Sequence, residues 1–194
     1  MEGNQLFPVF LKLNQLHTVV IGAGPVGLEK LTALLSNSPA ARITVIAAEV
    51  IGEVRDFITA FPQVTLLQKN FEPHDLNEAN LVVAATNNNE LNAEIKVAAK
   101  LRGLLINVAD KPELCDFYLG SIVQKGDLKI AISTNGKSPT IAKRLKEVLN
   151  EGIPNELDDT LQQMNALRNS LQGDFSSKVK KLNEVTEILT KNLK

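Results

Sequence analysis

The chain has 194 residues, 44% of them apolar and 22% charged, enough for one large domain or a medium domain with an appendage. The formal net charge of −1 excludes a global electrostatic pull toward nucleic acid or membrane, and the absence of Trp with only 4% aromatics argues against a base-stacking platform. A single cysteine, Cys115, excludes an intrachain disulfide and fits a reducing cytoplasm, and no apolar run approaches the roughly 20 residues of a membrane span.

The N-terminus lacks a basic region followed by an apolar one, so no signal peptide is expected and the location is read as cytoplasmic. Cys115 with the widely separated His17 and His74 makes no metal-ligand set, so no metal is expected. Alone, Cys115 reads as a small buried hydrophobe.

In chain order, His17–Gly22 (HTVVIG) predicts a buried strand ending in glycine. Pro25–Ser36 predicts a helix with Val26, Leu31, Leu34 and Leu35 on its apolar face. Arg42–Ala47 predicts a second strand, Glu49–Phe61 a helix ended by Pro62, and Val64–Gln68 a third strand. Asn80–Thr86 predicts a central strand, Asn87–Gly103 a helix with an Asn-rich cap, and Leu104–Val108 a fifth strand. Apolar strands alternating with helices imply an α/β class: a Rossmann-like, doubly wound parallel sheet through about residue 111.

The pattern then changes. Gly120–Gln124 and Leu128–Thr134 flank Lys125-Gly126-Asp127 with two-residue periodicity, which predicts a hairpin. Ser138-Pro139 opens a helix. Two apolar stripes follow, Leu157 to Leu171 and Val179 to Leu189, and predict a small helical C-terminal region. The expected organisation is a cofactor domain over 1–112, a hairpin-and-helix segment over 113–150 and a helical region over 151–194.

Gly22, Gly24 and Gly27 fill G-x-G-x-x-G between a strand and a helix, the context in which the motif binds a dinucleotide. The first glycine allows the tight turn, the second lets backbone approach the pyrophosphate, and the third brings helix and strand together. The expected acid for the ribose is less direct. Strand two ends at Ile46-Ala47-Ala48, and Glu49 comes slightly late; it binds ribose or charges a helix N-terminus. No Arg stands at the strand end to meet a 2′-phosphate, which favours NAD over NADP.

Ligands of such sheets bind beyond the carboxyl ends of the strands. Thr86 there offers a hydroxyl to the cofactor or caps the next helix. Asp110 follows a buried strand and precedes Lys111-Pro112; it is a general base or a turn residue near Pro. Ser133–Thr140, rich in hydroxyls with one Gly and Lys137, suits an anionic group or is a capped connection. Lys143, Arg144 and Lys146 read as a solvated face.

Several blocks together resemble one family, the precorrin-2 dehydrogenases of the siroheme synthase N-terminal module. They are Leu6–Leu11 (LFPVFL), Val19–Gly27 with Glu29-Lys30, Ala84-Ala85-Thr86, Asn107–Asp110 with Pro112–Phe117, and Ala131–Pro139. The resemblance runs from about residue 6 to 150. It implies NAD-dependent oxidation of precorrin-2 to sirohydrochlorin, in some members also insertion of Fe²⁺ to give siroheme, and a homodimer joined through the segment after the Rossmann unit. It implies that Asp110 is the essential aspartate closing the family's N-V-V-D motif. NAD contacts would fall on Pro25, Val26, Ala48 and Glu49. Ser133, Thr134 and Lys137, with Asn107, would face the tetrapyrrole's carboxylates in a cleft between subunits.

The sequence departs from the family in three places. Ala109 replaces the second Val, Glu29 replaces the common Arg before Lys30, and roughly the last forty residues match only in being helical. Long members carry a downstream methyltransferase, which a chain of this length is not expected to contain. Two other readings stand beside this one. A non-catalytic NAD-sensing regulatory module would share the glycine motif without needing the blocks at Asp110 and Ser133. Another small-molecule dehydrogenase would need a larger substrate domain.

Overall fold

Five aliphatic runs become the strands of one parallel sheet in the computed structural model, which describes residues 3–187. The elements are β1 (His17–Ala23), α1 (Pro25–Asn37), β2 (Arg42–Val50), α2 (Gly52–Ile58), β3 (Val64–Gln68), β4 (Leu81–Ala84), α3 (Asn89–Leu101) and β5 (Leu105–Val108). Strand order is β3-β2-β1-β4-β5, all parallel. The order reverses between β1 and β4, and that reversal opens a crevice at the carboxyl end of the sheet.

Successive β1 side chains serve opposite faces. Val19 and Ile21 join Val82, Ile95 and Ile106 on the α3 side. Val20 joins Leu31, Leu35, Val45 and Val54 on the side of α1 and α2. Both layers are buried, which is why the strands read as continuous apolar runs rather than alternating ones.

The predicted helix over 49–61 is corrected. Glu49 and Val50 belong to β2, and α2 covers only Gly52–Ile58. The cause lies in the ladder: Ile21 pairs with Ile46, but Ala23 pairs with Val50, so the register slips where β1 enters its glycine turn. A β-branched residue with a strand partner stays extended, and the helix starts later.

A second compact unit begins after Gly120. Its hairpin, β6 (Ser121–Lys125) and β7 (Leu128–Ile132), turns on two residues, Gly126 and Asp127, with Gly126 at φ +55°. Then come α4 (Pro139–Gly152), α5 (Leu157–Ser170) and α6 (Phe175–Thr186). Asp158 at the start of α5 accepts the Asp127 N–H at 2.7 Å, and Lys125 donates to Asn155 at 2.7 Å, so the turn is tied to that helix. Ile188 and Leu189 of the second predicted stripe lie outside the described residues. Among the described residues no helix is long and apolar enough to cross a membrane.

Candidate functional site

A cleft of about 620 Å³ lies where β1, β2, β4 and β5 end. It is bordered by Gly22, Gly24, Pro25, Val26, Ala48, Glu49, Thr86 and Asp110, so most of the residues singled out from sequence meet in one place. A hollow of similar size between α5 and α6 is walled by Phe175, Val179 and Leu182 with Arg168, Asn169, Lys178 and Asn183, and none of the candidate site residues singled out from sequence borders it.

The three glycines have different reasons to be glycine. Gly22 sits at φ +106°, and a Cβ there would fall on the Ala85 carbonyl. A Cβ at Gly27 would fall on the carbonyl oxygen of Gly22, so α1 packs on β1 only without one. A Cβ at Gly24 would meet nothing within 4 Å. Its bareness serves no contact inside the protein, and it caps α1 directly ahead of Pro25. Unpaired N–H groups and the positive helix end there favour a pyrophosphate, so the loop fits a dinucleotide.

At the β2 edge the register slip exposes Ala48 and Glu49. The Glu49 carboxylate has no hydrogen-bond or ion-pair partner among the described residues. Lys69, beside it at the end of β3, donates its N–H to Ala47 O at 3.0 Å and also borders the cleft. Its ammonium is held by Glu72 at 2.8 Å and Asp75 at 2.9 Å. Those hydrogen bonds, Glu72 first, hold the Lys69 pKa above its usual value and, reciprocally, Lys69 holds Glu72 below its own. Arg55 is engaged by Gln68 at 2.6 Å, and neither side chain borders the cleft. Lys69 was not foreseen, although the rule that ligands lie beyond strand ends points to any residue following β3.

Asp110 closes a tight turn in which Lys111 N–H donates to Val108 O at 3.3 Å. It stands at φ +56°; it and Asn135, at φ +54°, are the left-handed non-glycine residues of the described chain. Such a conformation costs an L-residue about 1 kcal/mol and is tolerated best by Asn and Asp. The Asp110 side chain is exposed, and no hydrogen bond or ion pair engages its carboxylate among the described residues.

What holds that turn is the segment after it. Asp116 N–H donates to Ile106 O at 2.8 Å, its carboxylate accepts the Ile106 N–H at 3.1 Å, and Lys96 reaches the same carboxylate at 2.6 Å. This covers the outer edge of β5. Asn107 is buried, donates to Phe117 O at 2.9 Å and does not border the cleft. Cys115 accepts the Val108 N–H at 3.2 Å, and its S–H has the Val108 and Lys111 carbonyls within 3.3 Å. Burial pushes the Cys115 thiol up, against the smaller opposing pull of the Val108 N–H and Lys96. The thiol is therefore protonated at neutral pH, and native Cys115 should react with iodoacetamide at least about tenfold more slowly than in denaturant. Equal rates, read by mass spectrometry, would contradict this picture.

In the second unit, Ser138 caps α4 by accepting the Ile141 N–H at 3.2 Å. The Thr134 hydroxyl accepts the Ser138 N–H at 3.2 Å, and the Asn135 N–H donates to Ser133 Oγ at 3.2 Å. Lys137 is exposed, with no side-chain partner among the described residues. Ser133, Thr134 and Lys137 thus share one loop, in a different compact unit from Asp110.

Comparison with known proteins places this architecture. Residues 9–121 match a family model described as putative NAD(P)-binding, and residues 125–151 match one described as sirohaem biosynthesis protein central. The siroheme synthase of Pseudoalteromonas atlantica is 34% identical over 91% of this chain and 38% of its own length, and that of Buchnera aphidicola is 35% identical over 88% and 35%. The chain thus spans about a third of the length of these curated relatives. A solved structure, SirC, precorrin-2 dehydrogenase, superposes with a TM-score of 0.74 at 27% identity, covering 93% of this chain and 89% of that one. With its cofactor-type loop and both family segments in order, the chain belongs to the siroheme synthase N-terminal domain family, its NAD(P)-binding domain lying over residues 9–121.

Proposed function

We propose that this chain oxidises precorrin-2 to sirohydrochlorin with NAD⁺. The observation that carries the reading is one juxtaposition: a carboxylate without a protein partner, Asp110, held in a left-handed turn on the cleft that the glycine loop also borders. The similarity to SirC, precorrin-2 dehydrogenase, supports the substrate.

The bound dinucleotide supplies the acceptor for the hydride that leaves the tetrapyrrole. The accompanying proton goes to the Asp110 carboxylate, which the β5 turn presents to the cleft. Asn107 acts by holding Phe117, and so the segment that backs the turn, in place. Ser133, Thr134 and Lys137 meet carboxylates of the substrate. The free Glu49 carboxylate receives the ribose diol and disfavours a 2′-phosphate, while the cleft lysine at the end of β3, Lys69, is neutralised by two acids; this supports NAD over NADP.

The decisive assay incubates the chain with precorrin-2 and NAD⁺, with and without Fe²⁺, and follows NADH and the tetrapyrrole spectrum. Sirohydrochlorin with NADH is the expected product; NADH binding without turnover would favour the NAD-sensing module instead. Insertion of Fe²⁺, a lyase step in which Asp110 would take the pyrrole protons, is scored by siroheme in the second arm.

In the proposed organisation the cofactor unit runs past 112 to Gly120, because Asp116 and Phe117 pair with β5, and the hairpin and α4 serve subunit contact in a cytoplasmic homodimer. Support for the dimer comes from α4. Ile141, Leu145 and Val148 are 56%, 45% and 63% exposed at i, i+4 and i+7, an apolar stripe about a quarter turn round the helix from the buried Ala142. Leu145→Glu with Val148→Glu should shift the sedimenting species from dimer to monomer; an unchanged dimer would place the interface elsewhere.

A further inference from the structure

Asn92, on α3, is 2% exposed and yet borders the cleft. A buried amide needs partners, and Asn92 finds them in one residue, Thr86. Its nitrogen faces Thr86 O at 3.1 Å, and its oxygen faces Thr86 Oγ1 at 2.7 Å. Elementary chemistry settles the orientation. A carbonyl oxygen only accepts, so the amide group facing Thr86 O is the NH₂, and the Thr86 hydroxyl must donate to Asn92 Oδ1. The competing acceptor, Asn88 O at 3.2 Å, loses. Were the proton turned there, two oxygens 2.7 Å apart would face each other lone pair to lone pair.

With its proton committed, the Thr86 hydroxyl can only accept. One lone pair takes the Asn88 N–H at 3.2 Å, and the other has no partner among the described residues. Thr86 stands on the cleft just past β4, and Ala85 N–H ties that strand end to Ile21 O beside the glycine turn at 2.7 Å. In this strand order the pyrophosphate lies over β1 and α1, and the adenosine ribose over the end of β2 near Glu49. The other half of the dinucleotide then crosses toward β4. Its ribose hydroxyls and carboxamide NH₂ are donors.

We propose that Asn92 is a positioning residue that fixes the Thr86 hydroxyl as an acceptor for a donor group on the nicotinamide half of the cofactor. The proposal rests on the dinucleotide reading of the cleft. The test is NADH binding to the full chain, followed by fluorescence, with thermal unfolding recorded beside it. Thr86→Val should weaken NADH by about three- to tenfold, and Thr86→Ser should restore it to within about twofold. Asn92→Ala should weaken NADH in the Thr86 chain and cost nothing further in the Thr86→Val background. A purely structural Asn92 would instead lower affinity equally in both backgrounds, which overturns the proposal. So does a Thr86→Val chain that binds NADH like the unsubstituted one.

The reduced 3-acetylpyridine analogue, which lacks the carboxamide N–H, distinguishes the two donors. If Thr86→Val weakens NADH but not the analogue, the donor is the carboxamide; if it weakens both alike, the donor is a ribose hydroxyl. This arm stands even where Asn92→Ala fails to fold. An unsubstituted chain that binds no NADH removes the dinucleotide reading itself, a result distinct from the others.

Discussion

Replacing Asp110 with Asn is expected to lower turnover of precorrin-2 with NAD⁺ by about 10²- to 10⁴-fold, the usual worth of a positioned general base, while NADH still binds. The choice of Asn matters. Asp110 stands at φ +56°, where Asn is the residue that best keeps the turn and removes only the charge. Asp110→Gly makes the backbone easier still and removes the whole side chain, so it should be as inactive as Asp110→Asn. Asp110→Ala confounds two effects, because Ala in a left-handed turn adds about 1 kcal/mol of strain to the lost carboxylate. The comparison separates the two roles that sequence alone left open. A turn residue near Pro would leave the Gly variant at full turnover with unchanged or raised stability. A base would leave both the Asn and Gly variants inactive but folded. Full turnover in Asp110→Asn rules Asp110 out as the base.

The residues of the glycine loop were legible because their spacing is local: strand, turn and helix start lie within eleven residues, although only Gly27 meets a neighbour inside that stretch, Gly22 answering to Ala85 and Gly24 to nothing in the protein. The place of Asp110 on the cleft was legible from its position at the end of an apolar run, although that position left both base and turn residue open. What was hidden depends on where the chain folds back on itself, whether from β1 to β2 at Val50 or over a few residues at Asn92, Asn107 and Cys115. Glu49 reads equally as a ribose ligand or as the acid of a helix start, and only the pairing of Val50 with Ala23 takes the helix start away. Asn92 follows the Asn-rich cap without a sequence signal of its own, and only its contacts with Thr86 show an amide buried on the cleft. Asn107, read as facing the substrate, spends its side chain on Phe117, because a segment ten residues on returns along the strand edge. Cys115 reads as packing, yet it is a hydrogen-bonding hub of the Asp110 turn. In each case the residue type named the chemistry available, and the return of the chain named its use.

Gly24 and Gly27 should fail in opposite ways when changed to Ala. At Gly27 the new methyl carbon falls on the Gly22 carbonyl oxygen, a backbone atom that cannot swing aside, so α1 must lift from β1. Overpacking of that kind costs about 1–3 kcal/mol, and Gly27→Ala should unfold several degrees lower and lose NADH as the loop shifts. At Gly24 the φ of −89° suits any residue and a Cβ meets nothing within 4 Å. Gly24→Ala should therefore melt like the unsubstituted chain. The added carbon instead occupies space that the pyrophosphate would use, and NADH affinity should fall by about tenfold or more. Thermal unfolding and NADH fluorescence on the two variants separate the positions: one loses both properties, the other only binding. Should Gly24→Ala bind NADH as tightly as before, the phosphates do not pass over Gly24, and the bareness of that residue needs another cause. Should Gly27→Ala melt unchanged, helix and strand have more room than the carbonyl contact allows, and the loop's shape is set by Gly22 alone.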